Sequence, residues 1–190
     1  VKLKNSLLLD RSSLGLFLVF ALAEVFTSNI QFSSYVAAAL CVVSLIRLYN
    51  WYTLGIWKAP LLWGLYVAFA FITLGFFIFA LMPYIPVLSR SIALHTITFG
   101  GIALITMSMM ARVTLGHTGR NIQQPSRWIG IAQGLIVAGA ITRIAPVTIF
   151  PEYYSSWIFL SQLFWIAGFS LFVLVNLPIL IRPRIDGATG

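Results

Sequence analysis

Six apolar stretches divide this chain, and each approaches or reaches the length that a lipid bilayer demands of a helix. They cover positions 14–29, 33–49, 60–82, 92–113, 128–147 and 157–181. A hydrocarbon core of about 30 Å is crossed by roughly 20 apolar residues in helical form. The runs are too long and too evenly apolar for barrel strands, which alternate with a period of two. The first two are short and joined by three uncharged residues, Ile30, Gln31 and Phe32, which predicts a tight helical hairpin. The expected fold is therefore an all-α, polytopic transmembrane bundle of about six spans, forming one domain over residues 1–190.

Charge supports this and excludes the alternatives. Only 8% of the residues are Asp, Glu, Lys or Arg, where a soluble domain carries about 25%. Disorder needs low hydrophobicity, and 60% of this chain is hydrophobic. The net charge of +8 does not form the basic helix or aromatic-basic platform that nucleic acid requires. Most of the basic residues lie between the apolar stretches instead. With six crossings, Lys2, Lys4, Arg11, Arg47, Lys58, Arg112, Arg120, Arg127, Arg182 and Arg184 fall on one side, and Arg90 and Arg143 towards the other. The positive-inside rule then places both termini in the cytoplasm. Trp51, Trp57, Trp128 and Trp157 fall near predicted helix ends, as an aromatic belt does. The basic segment from Val1 to Arg11 precedes an apolar run without a convincing small-residue cleavage site, so no cleavable signal is expected.

Polar groups inside apolar spans are costly and mark candidate sites. Here they are Glu24, His95 and Arg143, with Gln133, Asn29, Gln162 and Asn176 as weaker members. Counting along the spans puts Glu24, His95 and Arg143 in one layer of the outer half of the membrane. Depth does not fix which of them face each other. An Arg143–Glu24 ion pair locking two helices, with His95 as an interfacial hydrogen-bonding residue, is the structural alternative to a functional site. His95 and His117 are the only histidines, and a continuous helix separates them by about 33 Å. They cannot share one metal ion within a monomer. Met107 and Met110 share a helix face, and thioethers suit Cu(I), although methionine is also a routine filler of apolar gaps. The lone Cys41 reads as a small buried hydrophobe.

Two glycines bracket His117 in Leu115-Gly116-His117-Thr118-Gly119-Arg120, with Arg112, Arg120 and Arg127 around it. The segment reads equally as an anion-binding or proton-handling turn and as a rigid loop. Gly130, Gly134 and Ala138 recur every four residues, a stripe on which another helix can approach closely.

Taken together, His95-Thr96-Ile97-Thr98-Phe99-Gly100-Gly101 and Met110-Ala111-Arg112-Val113-Thr114-Leu115-Gly116-His117-Thr118-Gly119-Arg120 resemble the signature of the NnrS family. Trp57-Lys58-Ala59-Pro60-Leu61-Leu62-Trp63, Arg143 and Arg182-Pro183-Arg184-Ile185-Asp186-Gly187 add weaker matches. The resemblance is expected over the C-terminal half only. It implies a multi-pass protein of the bacterial inner membrane, associated with haem, copper and nitric oxide or nitrosative stress. It makes His95 the candidate axial haem or copper ligand, with His117 as a further metal candidate. Arg143 and Arg90 become candidate partners of haem propionates, and Thr98 a candidate orienting group. One outer ligand is incomplete for a six-coordinate haem. Another membrane subunit, or a second copy, is expected to pack on the faces bearing Gly100, Gly101, Gly130 and Gly134. The alternative is a non-catalytic accessory subunit of a membrane respiratory complex.

Overall fold

The computed structural model describes residues 6–27, 29–185 and 187, with no side-chain detail at Pro146 and Val147. Lys2, Lys4 and Asp186 of the sequence argument lie outside the described residues. The chain forms α1 (Leu7–Phe26), α2 (Ile30–Trp51) and α3 (Pro60–Leu81). Then come α4, a continuous helical run over Arg90–His117, α5 (Arg127–Ile149) and α6 (Tyr154–Leu180). Short 3₁₀ turns, Leu54–Lys58 and Pro151–Tyr153, lead into α3 and α6.

Five of the described helices are long and apolar enough to cross a membrane. The exception is α1, which begins seven residues before the expected first span and carries Asp10, Arg11 and Glu24 within its 20 residues. Buried and exposed faces are both apolar: α6 buries Phe172 and exposes Phe159, Leu163, Ile166, Val173 and Leu174. A helix apolar all round belongs in a lipid environment.

Helix entry follows local chemistry. Asn29 caps α2 by accepting from the Phe32 N–H at 3.1 Å, so its polarity is used at a helix start. Ser89 caps α4 at Ile92 N–H, 3.3 Å away. Pro60 occupies the first turn of α3, where its missing N–H costs nothing.

The core has two halves that share α3 and α4. One gathers Leu61, Ala68, Leu104, Met107, Ala111, Leu115, Ile129, Ala132, Ile136 and Phe172 from α3 to α6. The other joins Phe20, Ala37, Leu40, Cys41, Phe76, Ile78, Phe79 and Ala93 from α1 to α4. Phe20 meets Phe76 and Phe79 edge-on, at centroid separations of 5.6 and 5.0 Å. Cys41 is thus core, and so is Met107, while Met109 and Met110 stand on the outer surface. The methionines do not converge on one point.

Inside α4, Thr96–Ile102 winds as a π-helix. This wider turn sets Gly100 and Gly101 against α3. A Cβ at Gly100 would lie 2.6 Å from the Phe71 ring, and one at Gly101 2.5 Å from the Ile72 side chain. Two threonines bond back onto carbonyls of the preceding turn: Thr96 Oγ1 to Ile92 O and Thr98 Oγ1 to Leu94 O, both at 2.8 Å. Such π segments are frequent beside functional residues.

Candidate functional site

His95 is the residue immediately before the π segment. Its Nδ1 lies 2.6 Å from the Ser91 carbonyl oxygen, with Ser91 Oγ at 3.2 Å. Its Nε2 lies 2.8 Å from an Arg143 guanidinium nitrogen on α5. A carbonyl oxygen only accepts and a guanidinium only donates. The two contacts therefore define one tautomer: Nδ1 carries the proton, and the Nε2 lone pair accepts from Arg143. An imidazole whose far N–H is tied to a carbonyl is the arrangement that orients histidine ligands. Here the lone pair that would reach a metal faces Arg143.

Beside the imidazole is a hollow of about 350 Å³, lined by His95, Thr98, Phe99, Ile102, Thr106, Trp165 and others. Phe99, Trp165 and Phe169 form its aromatic wall, with centroid separations of 6.2 and 4.5 Å along the series. Thr98 lines this space, yet its hydroxyl donates to Leu94 O. Thr98 is the candidate orienting group of the sequence; the residue in contact with the ring is Ser91, one turn earlier.

The layer of ionic groups at this end resolves into two separate pairs. Arg90 Nε is 2.9 Å from Glu24 Oε2, and an Arg90 N–H also donates to the Glu24 backbone oxygen at 3.2 Å. The Arg143–Glu24 pair considered from depth alone is not formed. Arg143 is held by His95, and Arg90 is committed to Glu24.

At the opposite, basic end, α4 stops in a Schellman cap. Gly119 adopts φ +72°, Arg120 N–H donates to Leu115 O at 2.9 Å, and Gly119 N–H to Gly116 O at 3.3 Å. Left-handed φ is what glycine at this position supplies. The bracketed histidine loop is thus a helix stop, with His117 exposed on its last turn. His95 and His117 sit at opposite ends of α4, and no cluster of three or more His, Cys, Asp or Glu is found among the described residues.

Mid-bundle, Gln133 is fully buried and donates through Nε2 to Ser108 Oγ at 2.8 Å. Its Oε1 has no partner among the described residues. Gly64 makes room for this pair: a Cβ there would lie 2.5 Å from Ser108 Oγ. By contrast, the two glycines of the expected stripe on α5 meet little among the described residues. Gly134 has nothing within 4 Å of a Cβ, and Gly130 meets Pro60 at an ordinary 3.6 Å.

A bundle of helices apolar on every face, with its paired ionic groups gathered towards the two ends, defines a polytopic helical membrane protein. The chain belongs to the NnrS family: the model of that family, described as NnrS protein, matches residues 1–184. The match extends well beyond the C-terminal half to which the sequence resemblance confined it. The hairpin of α1 and α2 is thus part of the family pattern. No curated protein and no solved structure matches the chain.

Proposed function

We propose that this NnrS family member acts in nitric oxide tolerance by holding a haem or copper centre at the end of the bundle that bears His95. The observation that carries the reading is the fixed tautomer of His95, with Nδ1–H on the Ser91 carbonyl and the Nε2 lone pair directed at the Arg143 guanidinium. Imidazole nitrogen suits haem iron and copper alike. A bound haem or copper would supply one-electron chemistry and a place for nitric oxide to bind.

The chain's own residues fit that group at one ligand position. His95 would bind through Nε2, with Ser91 keeping the ring oriented. Arg143 would release the imidazole and offer its guanidinium to an anionic edge of the cofactor, such as a propionate. Arg90 is less suited, because Glu24 already neutralises it. Phe99, Trp165 and Phe169 would exclude water from the same space. His117, at the opposite end of α4, lies too far away to complete this site. A further ligand to such a group would come from another subunit or a second copy of the chain. Gly100 and Gly101 are spent on α3, so the open face around Gly134 is where another subunit or copy would approach. We place the protein in the bacterial inner membrane with both termini cytoplasmic, supported by the asymmetry of its basic residues.

A second reading has its own support. The hydrogen bonds of His95 are already satisfied by Ser91 and Arg143, as a purely structural polar pair requires. That favours an accessory subunit of a respiratory complex. An optical spectrum with metal analysis of the purified protein separates the two. A Soret band with stoichiometric iron, or stoichiometric copper, supports the first; a colourless, metal-free protein supports the second.

A further inference from the structure

The basic end of α4 carries a hollow that the proposed centre does not use. Met109, Arg112, Val113, Gly116 and His117 border it from α4, and Arg184 from the segment after α6, around about 440 Å³. The α4 residues share one face because turns repeat at i, i+4 and i+7, and all five are exposed. Their order along the axis is informative. Arg112 stands five residues before His117, about 7.5 Å deeper along the helix, between the exposed side chains of Met109 and Val113.

A guanidinium at that depth, among apolar neighbours that face lipid, reaches up to the headgroup layer, where an anion can meet it. Among the described residues no carboxylate does so. Asp10 pairs with Arg47 at 3.0 Å, and Glu24 pairs with Arg90 at the other end of the bundle. Glu152 belongs to the turn between α5 and α6, also at the far end. The site thus combines two features: cationic donors suited to phosphate, and an apolar strip running from them towards the membrane centre. A soluble anion would use only the first. A phospholipid would use both, and basic pockets between helices at the cytoplasmic face are where anionic headgroups bind. The positive-inside rule assigns this end to that face.

We propose that this hollow binds an anionic phospholipid, its headgroup phosphate on Arg112 and His117 and an acyl chain along Met109 and Val113. Arg184 borders the headgroup position.

The test is native mass spectrometry of the full chain in detergent, with phosphatidylglycerol or phosphatidylcholine of identical acyl chains. Phosphatidylglycerol is expected to be retained preferentially, with about fivefold lost when the Arg112 guanidinium is removed. Arg112→Gln combined with His117→Gln should abolish the preference. Arg112→Lys should keep most of it, and Arg127→Gln, outside the lining, should leave it unchanged. Helical content by circular dichroism would confirm that each variant is folded. Equal retention of the two lipids overturns the proposal, as does a preference that survives the double substitution or falls equally with Arg127→Gln. Displacement of phosphatidylglycerol by millimolar inorganic phosphate would reassign the site to a soluble anion and overturn it as well.

Discussion

At His95 two hydrogen bonds decide what one side chain offers. The Ser91 carbonyl takes the Nδ1 proton, and Arg143 covers the lone pair on Nε2. The neighbouring ion pair is independent of it. Glu24 is largely buried, at 16% exposure, but Arg90 is 56% exposed, so the pair resembles a surface salt bridge worth about 1 kcal/mol or less. In a double-mutant cycle read by thermal unfolding in detergent, Glu24→Gln and Arg90→Gln should therefore couple, by about 0.5–1 kcal/mol. Glu24→Gln and Arg143→Leu should add without coupling, because the two residues have different partners. Measured coupling between Glu24 and Arg143 would restore the ion pair that depth alone suggested. The layer shared by Glu24, His95 and Arg143 was legible in the sequence, since rise per residue converts position into depth. Their partners were not, because depth says nothing about the angle at which each helix is turned about its axis.

Among the elements, α4 shows what a hydropathy pattern conceals. Its apolar length is plain from residues 92–113, but nothing in the amino-acid types announces that Thr96–Ile102 is π-helical. The register change arises where Gly100 and Gly101 let Phe71 and Ile72 of α3 close in, and a tertiary contact of that kind has no local signature. The helix stop at Gly119 was closer to legible, since the glycine follows the last turn, as a C-terminal cap requires. Glycines within the helices divide in the same way. Gly64 has Ser108 and Gln133 pressed against it, whereas Gly134 faces open space. Gly64→Ala should destabilise the protein by about 1–3 kcal/mol through overpacking. Gly134→Ala should be neutral or slightly stabilising, within about 1 kcal/mol, as alanine is the better helix former. Thermal midpoints of the two variants measured side by side check this. Equal losses would mean that the face around Gly134 is already closely packed, against a second subunit for example.

On the scale of the whole molecule, the bundle divides its charges by end. Two satisfied polar pairs, Glu24–Arg90 and His95–Arg143, lie at one end, and the Asp10–Arg47 pair with an excess of arginine lies at the other. That division was readable from the loops, because the same sparse charges that interrupt the apolar runs also count the crossings. The family pattern, which covers residues 1–184, takes in both ends and the α1–α2 hairpin, so the site belongs to a bundle that includes α1. We propose that this bundle presents His95 as the ligand of a redox centre. The direct measurement is the iron and copper content, with the optical spectrum, of the purified protein beside its His95→Ala variant, both inserted in the membrane to the same level. The parent protein is expected to be metal-loaded and coloured, and the variant to have lost that metal and colour while keeping its helical content. Full metal content in His95→Ala, or a parent protein with none, would contradict it.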